Sequence, residues 1–505
     1  MTRMSGVTLA TRSFNSDDQA LFARLSGDYN PIHMDPLVAR RTQAGALVVH
    51  GIHAVLWTLD KLVQSGAVTG RFASLKVQFT KFIYVGSTVH LKLRRRDDKS
   101  IRAELVVDGL TTTTLFLTLG RPNEPSWNDL PANATLIIAT DAPVTFVRLD
   151  DIRKFSGWMD VAGPIEHVAR QFPHIASTIG PHPTSAIALL SRLVGMICPG
   201  LHSLFAAFAI ELVDCQRHQD RVEFRCTGTD ERFRMVRMNV CGAGVSGSVQ
   251  AFLRWPPIAQ ASLTDIAKVV APTEFAGSTA LIIGGSRGLG SLTAKVIAAG
   301  GGRLILTYAT GRSDAAQLIE EIHGQVGRDV CRAIPYDARQ SAADQLGLLN
   351  ADVTHLYYFA TGPIARQKED LFVTSLFDEF TQVYVKGFYD CCEFVSARGS
   401  RKLTAYYPSS IFVENSPPGM TEYSMAKMAG EMLCENMNRA NSGIHVLTSR
   451  LPRLLTDQTA TVSPGKNADP FEVMLPIIRR VQKSGSNQLD LAGPGQLMRT
   501  VFDTS

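Results

Sequence analysis

Two stretches of the chain combine residue types that can transfer protons. The first reads Ser-Gly-Asp-Tyr-Asn-Pro-Ile-His over residues 26–33, with His-Gly following at residues 50 and 51. A carboxylate at Asp28 and an imidazole at His33, held in one loop, can act as general base and general acid on a single water. That chemistry adds water across an activated C=C bond or eliminates it. Gly51 opens an apolar helical stretch, so its N–H could stabilise a thioester oxygen as negative charge builds on it.

The second stretch, residues 409–427, contains a hydroxyl at Ser410, a phenol at Tyr423 and an ammonium at Lys427. Tyr423 and Lys427 stand at i and i+4, so on a helix they share one face. A neighbouring ammonium favours the phenolate, and we therefore expect the pKa of Tyr423 to lie below its usual value of about 10. With Ser410 polarising a substrate carbonyl, the three side chains predict a site for hydride transfer.

A glycine-rich loop upstream supports this interpretation. Residues 279–283 are an apolar run of strand length, residues 284–290 read Gly-Gly-Ser-Arg-Gly-Leu-Gly, and residues 292–298 have a helical pattern. Glycines allow a tight turn and a close backbone approach, and a helix N-terminus attracts a pyrophosphate. A strand, this loop, a helix and then Ser, Tyr and Lys in this order predict a dinucleotide-binding reductase.

These residues resemble the short-chain dehydrogenase/reductase family over residues 275–505. The resemblance implies an α/β Rossmann doubly wound fold for the C-terminal half, with the serine, tyrosine and lysine as catalytic residues. No acidic residue follows the second strand, at 303–308, before Asp314, and two arginines are available for a 2′-phosphate, which favours NADP over NAD. The expected cofactor-binding residues are Gly284, Ser286, Arg287, Gly288, Leu289, Gly290, Arg312, Asp337 near the adenine, Lys427, and Thr456 near the nicotinamide amide.

The chain departs from the pattern of that family at several positions. The family's Asn-Asn-Ala-Gly after the fourth strand is Phe-Ala-Thr-Gly at 359–362, and its Pro-Gly after the sixth strand is Pro-Arg at 452–453. The helix Asn that supports a proton-relay water in the family falls at Tyr384. Proton relay through Lys427 would then need another route. Residues 457–472 are predicted to form a mobile lid over the substrate.

The first stretch resembles the MaoC-like (R)-specific enoyl hydratases and dehydratases, which have a hot-dog fold. The resemblance implies that Asp28, His33 and the N–H of Gly51 form the catalytic site. Beyond the apolar helix that follows, runs between residues 75 and 119 predict antiparallel strands, with turns at Gly86 and Gly109. We expect this hot-dog domain to span residues 1–125.

A weak sequence similarity to the first stretch predicts a second, degenerate hot-dog domain over residues 145–256. It would make the N-terminal half an α+β double hot-dog. Trp158 would stand at the position of Asp28, and Glu166 would not stand where His33 does. The copy is therefore expected to have lost the catalytic pair, to complete the sheet and to wall an acyl tunnel. The linkers would lie within residues 121–144 and at 255–275, before a Rossmann domain at 275–505.

The composition is that of an ordinary globular protein with two to four domains: 505 residues, 45% hydrophobic and 19% charged. A net charge of +5 is too small to indicate nucleic-acid binding but is compatible with acidic partners such as acyl carrier protein or the phosphates of CoA. Eight cysteines show no metal-ligand spacing, so no metal is expected. Without a signal-peptide profile or a long apolar run, the chain is predicted to be cytoplasmic, with no membrane segment.

These observations together predict a bifunctional enzyme on acyl thioesters. The reductase half would convert a 3-ketoacyl thioester to the (R)-3-hydroxyacyl thioester with NADPH, and the other half would dehydrate it to the trans-2-enoyl thioester, as in fatty-acid or polyketide-type biosynthesis. One alternative is enoyl hydration followed by oxidation, in degradation. A second is a scaffold or binding protein with one inactive site. Family similarity implies a homodimer or higher homo-oligomer that pairs through helices including residues 420–440.

Overall fold

The computed structural model describes residues 6–121, 144–152, 155–161, 165–214, 220–327, 330–362, 364, 371–399, 402–440, 443–459 and 467–486. These residues form two compact units, the first ending at Pro256 and the second beginning at Pro257. Each unit contains its own sheet and hydrophobic core. Nearly all of the predicted linker at 121–144, and residues 460–466 of the predicted lid, lie outside the described ranges.

One antiparallel sheet of ten strands organises the described part of the first unit. In chain order the strands are β1 (Val7–Ser13), β2 (Phe72–Phe79), β3 (Thr88–Arg96), β4 (Ser100–Val107), β5 (Leu110–Leu119), β6 (Ser156–Asp160), β7 (Ser203–Leu212), β8 (Arg221–Asp230), β9 (Met235–Gly242) and β10 (Val245–Leu253). Their order across the sheet is β1-β3-β4-β5-β2-β7-β10-β9-β8-β6. The β2–β7 pair therefore lies in the middle, with corresponding strand orders on its two sides. This is a double hot-dog fold, as predicted.

Eight helices accompany this sheet in the described residues, and two of them are long and deeply buried. They are α1 (Ser16–Ser26), α2 (Pro31–Met34), α3 (Pro36–Ala39), α4 (Gly51–Gln64), α5 (Leu149–Ile152), α6 (Ile165–Gln171), α7 (Pro173–Ile179) and α8 (Pro181–Arg192). A π-helical turn, Leu193–Ile197, continues α8. Residues 52–60 of α4 are all buried, because α4 packs against α7 and α8 inside the unit. A helix that is apolar on most sides needs such an enclosure.

The structure corrects one part of the sequence interpretation of this unit. Trp158 lies on β6, which is the edge strand corresponding to β1, whereas Asp28 lies in the loop after α1. The proposed match of Trp158 with Asp28 is therefore wrong, because it aligned a strand with a loop. Neither edge strand was expected from the sequence. The turns at Gly86 and Gly109 are confirmed by their left-handed φ angles of 90° and 81°. The domain limits at 125, 145 and 256 remain predictions.

The second unit is built on a parallel sheet. In the described residues its strands are β11 (Thr279–Ile283), β12 (Arg303–Tyr308), β13 (Cys331–Pro335), β14 (His355–Tyr358), β15 (Leu403–Ser410) and β16 (Ile444–Leu451). The order β13-β12-β11-β14-β15-β16 is that of a doubly wound Rossmann fold, as predicted. The order reverses between β11 and β14, and in such sheets ligands bind at the carboxyl ends of the strands beside this reversal.

Helices pack on both faces of the parallel sheet. They are α9 (Leu263–Ile266), α10 (Gly288–Ala299), α11 (Arg312–Val326), α12 (Ala342–Leu346), α13 (Thr374–Thr381), α14 (Gly387–Arg398), α15 (Phe412–Asn415), α16 (Thr421–Arg439) and α17 (Pro470–Ser486), with a π-helical turn at Gln382–Lys386 between α13 and α14. The predicted linker at 255–275 contains α9, whose Ile266 shares a core cluster with Leu292 of α10. These residues therefore pack as part of the second unit.

Candidate functional sites

Asp28 is held inside the first unit by the way α1 ends. Gly27 caps α1 with φ 75°, a left-handed conformation that favours glycine, and its N–H donates to the carbonyl of Ala23. The chain then turns inward, and Asp28 is 2% exposed. Its Oδ2 accepts a hydrogen bond of 2.6 Å from the hydroxyl of Ser191, and its Oδ1 accepts one of 3.1 Å from the N–H of Asn30. The carboxylate is thus fixed from two directions.

His33 is presented by the short helix α2, which Asn30 caps. The side-chain oxygen of Asn30 accepts from the N–H of Ile32, and its amide nitrogen donates to the carbonyl of Gly195 at 2.7 Å. Nδ1 of His33 lies 2.8 Å from the carbonyl oxygen of Val48. Because a carbonyl oxygen can only accept, this contact places the proton of the neutral imidazole on Nδ1. Nε2 of His33 is then the nitrogen that can take up a proton.

A second histidine, His50, lies behind this pair. Its ring stacks on that of His33 with centroids 4.0 Å apart. Its Nδ1 lies 2.9 Å from Oε1 of Gln19, and its Nε2 lies 3.0 Å from the carbonyl oxygen of Asp28. Burial lowers the pKa of His50 well below its usual range, so the ring is neutral and donates to one of these two oxygens. His50 therefore supports the loop that carries Asp28.

Burial also shifts the pKa values of Asp28 and His33. It raises the pKa of Asp28, opposed by the nearby His33 and by the hydrogen bond from Ser191. It lowers the pKa of His33, opposed by Asp28. Desolvation disfavours both charged forms, so the pair is driven towards a protonated acid and a neutral imidazole. A protonated carboxyl and an imidazole with a free lone pair form a donor–acceptor pair for proton transfer.

A cavity of about 90 Å³ opens onto the pair. Its walls come from both halves of the first unit and include Asp28, His33, Gly51, Ser191, Gly195 and Phe205. Gly51 is the first residue of α4, and the first N–H groups of a helix have no intrahelical acceptor. A Cβ at Gly51 would lie 2.8 Å from the ring of Phe79. The structure thus brings Asp28, His33 and Gly51 to one cavity.

The same cluster offers donors that a metal ion could use. One donor atom each from Asp28, His33 and His50 lies within 4.8 Å of the others. Both carboxylate oxygens of Asp28 already accept hydrogen bonds, and both ring nitrogens of His50 face oxygen atoms at hydrogen-bond distance. These contacts are those of an acid–base site, and we interpret the cluster in that way.

In the second unit the glycine-rich loop connects β11 to α10. Gly284 and Gly288 have φ angles of 76° and 57°, which favour glycine. A Cβ at Gly290 would lie 2.2 Å from the carbonyl oxygen of Gly284, so the turn requires glycine there. The N–H of Gly284 donates to the hydroxyl of Thr307 on β12. Ser286 precedes the helix and Leu289 lies in its first turn, so the loop forms the cradle that a pyrophosphate requires.

Tyr423 and Lys427 lie on α16, one turn apart, as the sequence predicted. Ser410 ends β15, and its hydroxyl is near enough to Tyr423 to lower the pKa of the phenol. Nζ of Lys427 donates to the carbonyl of Pro408 at 2.7 Å. The three predicted side chains therefore meet at the carboxyl end of the parallel sheet, where such folds bind their ligands.

The expected lowering of the Tyr423 pKa is wrong for this structure. Burial raises the pKa of Tyr423 to about 12, against an opposing hydrogen bond from Ser410. Burial also lowers the pKa of Lys427 to about 7, against the opposing effects of Cys434 and Glu431. Nζ of Lys427 lies 5.9 Å from the centre of the Tyr423 ring. At that distance, and with its own charge disfavoured, the lysine does not outweigh desolvation of the phenol.

The remaining predicted cofactor residues lie on several elements of the second unit. Arg287 precedes α10 and lies 3.8 Å from the carboxylate of Asp457. Arg312, the first residue of α11, is exposed near the end of β12. Asp337 binds Arg339 in a pair of hydrogen bonds. The N–H of Thr456 donates to the hydroxyl of Thr459. With Lys427 and the glycine cradle, these residues are compatible with a nicotinamide dinucleotide.

Sequence reasoning missed the residues that the second half contributes to the first site. Ser191 and Gly195 lie in α8 and in the π-helical turn after it, and both contact the Asp28 loop. A Cβ at Gly195 would lie 2.3 Å from Oδ1 of Asp28. Nothing near Ser191 in the sequence signals a catalytic role, because the contact spans 163 residues. The only related sequence prediction was that the second hot-dog half would form part of the wall of an acyl tunnel.

Comparison with known proteins supports the assignment of both halves. Residues 4–115 match the family model described as MaoC like domain, and residues 278–466 match the one described as short chain dehydrogenase. The chain therefore joins a MaoC-like domain to a short-chain dehydrogenase domain. In the described residues, no helix is both long and apolar enough to cross a membrane.

Individual relatives cover limited parts of the chain. The peroxisomal hydratase-dehydrogenase-epimerase of Saccharomyces cerevisiae is 35% identical over 80 residues, which are 16% of this chain and 8% of that protein. A mitochondrial 3-hydroxyacyl-[acyl-carrier-protein] dehydratase of Arabidopsis thaliana is 27% identical over 89 residues, which are 18% of this chain and 53% of that protein. A short-chain dehydrogenase of Burkholderia cenocepacia, solved with NADP, has 20% identity and a TM-score of 0.37, over 41% of this chain and 91% of its own.

Proposed function

We propose that the chain is a bifunctional enzyme that acts on acyl thioesters of acyl carrier protein or CoA. The reductase half converts a 3-ketoacyl thioester to the (R)-3-hydroxyacyl thioester, and the dehydratase half removes water to give the trans-2-enoyl thioester. The observation that carries the proposal is the presence of two assembled sites on one chain, Asp28 with His33 and Ser410 with Tyr423 and Lys427. The reductase makes the hydroxyacyl thioester that the dehydratase consumes, and joining the two sites on one chain raises its effective concentration at the second site.

In the dehydratase site each catalytic group has one role in the dehydration direction. Nε2 of His33 takes the proton from C2, because Nδ1 is committed to the carbonyl of Val48. Asp28, whose pKa burial raises, gives its proton to the departing hydroxyl. The N–H of Gly51, at the start of α4, stabilises the thioester oxygen as the enolate forms. Hydration uses the same groups in reverse, with Asp28 as the base.

In the reductase site Tyr423 gives its proton to the ketone oxygen, and Ser410 donates a hydrogen bond to the same oxygen. Bound NADPH would supply the hydride. The glycine cradle at 284–290 is proposed to hold its pyrophosphate, with Asp337 and Thr456 nearer the adenine and the nicotinamide. Arg287 and Arg312, without an acid at the end of β12, support a preference for the 2′-phosphate.

The test is an assay of the purified protein with acetoacetyl thioester and NADPH, following NADPH absorbance and the enoyl product by mass. Tyr423→Phe is expected to abolish NADPH consumption and leave hydration of a crotonyl thioester intact. Asp28→Asn is expected to do the reverse, so each variant is the other's control. Hydration unchanged in Asp28→Asn would exclude Asp28 as the acid–base residue. NADPH consumption unchanged in Tyr423→Phe would exclude Tyr423 as the proton donor.

Two other functions are each favoured by one observation. The name of the yeast relative combines hydratase and dehydrogenase, which supports enoyl hydration followed by oxidation, in degradation. Tyr384 stands where the short-chain dehydrogenase/reductase pattern has the helix Asn that supports a proton-relay water, which supports a scaffold protein whose reductase site binds cofactor without turnover. Oxidation of (R)-3-hydroxybutyryl thioester that is faster with NAD⁺ than the reduction with NADPH would favour degradation. NADPH binding without consumption would favour the scaffold.

Assembly and location are also part of this proposal. The side chains of Met425, Met428 and Met432 on α16 are 44%, 51% and 63% exposed, an apolar face that supports pairing with a second copy. We keep the cytoplasm as the proposed location, although the yeast relative is named as peroxisomal. Size-exclusion chromatography with light scattering and imaging of the tagged protein test these two points.

A further inference from the structure

Lys427 lies among tyrosine rings. Its Nζ is 4.0 Å from the centre of the Tyr384 ring and 4.9 Å from that of Tyr407, with Tyr423 at 5.9 Å. The carbonyl of Pro408 accepts its hydrogen bond at 2.7 Å. An ammonium over the face of a phenol ring is attracted by the ring's negative centre. The closest of the three rings is that of Tyr384.

Tyr384 is itself fixed on several sides. It lies in the π-helical turn Gln382–Lys386, and its hydroxyl is 2.6 Å from the hydroxyl of Thr361, which follows β14. Its ring meets that of Tyr423 edge to face, with centroids 5.6 Å apart. One side chain therefore contacts both the lysine and the proposed proton donor.

We propose that Tyr384 is a positioning residue of the reductase site, which holds the ammonium of Lys427 on its ring face and sets its place relative to Tyr423. This inference rests on the proposed reductase function. The ring performs this role through its π-face, and its contacts with the rings of Phe380 and Tyr423 fix its orientation. Tyr407 of β15 also supports Lys427. Its hydroxyl packs closely against α16, because a Cβ at Gly430 would lie 2.0 Å from it.

The other charged and titratable groups around Lys427 come from three elements. Glu431 and Cys434 lie on α16 with Lys427 and Tyr423, and both favour its ammonium form. Glu431 is bound in turn by Arg450 of β16, with hydrogen bonds of 2.9 and 2.6 Å. Tyr407 of β15 completes the set. Substitution at Tyr384 leaves all of these groups in place, so the contribution of its ring can be measured separately.

The test compares three substitutions at Tyr384. Phe keeps the ring and removes the hydroxyl, Leu removes the ring but fills the space with an apolar side chain, and Asn opens the space to water. The direct readout is the pH titration of the Lys427 side chain, by NMR of the full chain labelled with ¹³C-lysine, with Lys427→Arg to assign the signal. Tyr389→Leu, a substitution of an exposed tyrosine on α14, is the matched control.

If the ring holds the ammonium, Tyr384→Phe leaves the titration midpoint of Lys427 unchanged. Tyr384→Leu lowers the midpoint by about half a pH unit or more, because the cation loses its partner while remaining buried. Tyr384→Asn raises the midpoint, because water then solvates the ammonium. Equal midpoints in the wild type and in the Leu variant would overturn the proposal. A rise in the Leu variant would also overturn it, since the ring would then act only by excluding water.

This measurement does not depend on turnover, so the failure of the two proposals can be told apart. In a wild type that consumes NADPH, the pH at half-maximal kcat is expected to follow the Lys427 midpoint across the three variants. A chain that never consumes NADPH overturns the proposed reductase activity, while the NMR titration still decides whether Tyr384 holds Lys427. If the Asn or Leu variant fails to fold, a changed Lys427 midpoint in Tyr384→Phe is sufficient to overturn the role of the ring.

Discussion

The hydroxyl of Ser191 donates a 2.6 Å hydrogen bond to Oδ2 of Asp28, a residue 163 positions earlier in the chain. The two residues come from opposite halves of the double hot-dog. The half that lacks the catalytic pair therefore supplies a direct partner of the proposed acid–base residue. The proposed dehydratase site therefore draws on both halves of the first unit, and its chemistry is expected to respond to changes in either half.

Ser191→Ala is expected to shift the pH dependence of hydration. The hydrogen bond from Ser191 favours the carboxylate, so its loss raises the pKa of Asp28 further. Because hydration uses the carboxylate as base, the acid limb of its pH–rate profile should move upward by about one to two pH units, given about 1.5–3 kcal/mol for a hydrogen bond to a charged group. The measurement is the initial rate of crotonyl-thioester hydration across pH.

Ser185→Ala is the matched control for that experiment. Ser185 is buried on the same helix, and its hydroxyl has no hydrogen-bond partner. The control should leave the pH profile in place. The same profile in Ser191→Ala and the wild type would show that the bond does not tune Asp28.

Gly195→Ala is expected to reduce hydration by about a hundredfold, the effect of misplacing a catalytic group by about 1 Å. The added Cβ would lie 2.3 Å from Oδ1 of Asp28, so the carboxyl must move. Gly228→Ala is the control, because a Cβ at Gly228 on β8 meets no atom within 4 Å. Circular dichroism of both variants checks the fold. A fully active Gly195→Ala enzyme would contradict the close packing of the π-helical turn against Asp28.

Arg312→Gln is expected to raise the KM for NADPH by about tenfold or more, because a charge-assisted hydrogen bond to the 2′-phosphate is worth about 1.5–3 kcal/mol. NADH, which has no 2′-phosphate, should be used as before. Arg303→Gln is the control, since Arg303 is exposed at the opposite end of β12. Steady-state kinetics with both cofactors provide the measurement. Equal effects on NADPH and NADH would point to a structural role for Arg312.

Lys427→Met is expected to change how stability depends on pH. Burial lowers the pKa of Lys427 from 10.5 to about 7, so between these values the unfolded chain binds more protons than the folded one. The free energy of unfolding of the wild type should therefore rise with pH across this window, relative to the variant, by up to about 1.4 kcal/mol per pH unit. Below pH 7 the lysine is charged in both states and the destabilisation from burying it is greatest.

Urea unfolding at pH 7, 8 and 9 measures this difference. Lys76→Met, at an exposed position on β2, is the control and should show the same pH dependence as the wild type. Parallel curves for Lys427→Met and the wild type would show that Lys427 keeps an ordinary pKa in the folded protein.

The sequence was sufficient to predict what depends on local pattern. The glycine-rich loop and the i, i+4 spacing of Tyr423 and Lys427 describe features within a few residues, and the structure has them as predicted. The strand order of each unit also agrees with the predicted fold class. In these cases, side-chain periodicity and backbone conformation determine the outcome.

What could not be predicted depends on three-dimensional packing. The Ser191 contact joins residues distant in sequence, and neither residue type marks it. The direction of the Tyr423 pKa was predicted wrongly, because spacing shows which charge is near but not how deeply both groups are buried. Tyr384 was recognised as a departure at its position, but its contact with Lys427 depends on the π-helical turn that carries it.

The pairing of β2 with β7 has a consequence for how the dehydratase can be moved between proteins. Five consecutive residues, Ser74–Gln78, pair with strand β7 across the middle of the sheet. A fragment cut to the MaoC-like match at 4–115 would present this row of N–H and C=O groups as a bare edge, which invites pairing with other chains. It would also lack Ser191 beside Asp28. If the proposed dehydratase is to be transplanted, the complete first unit should therefore be moved, because the family match at 4–115 covers only its first half.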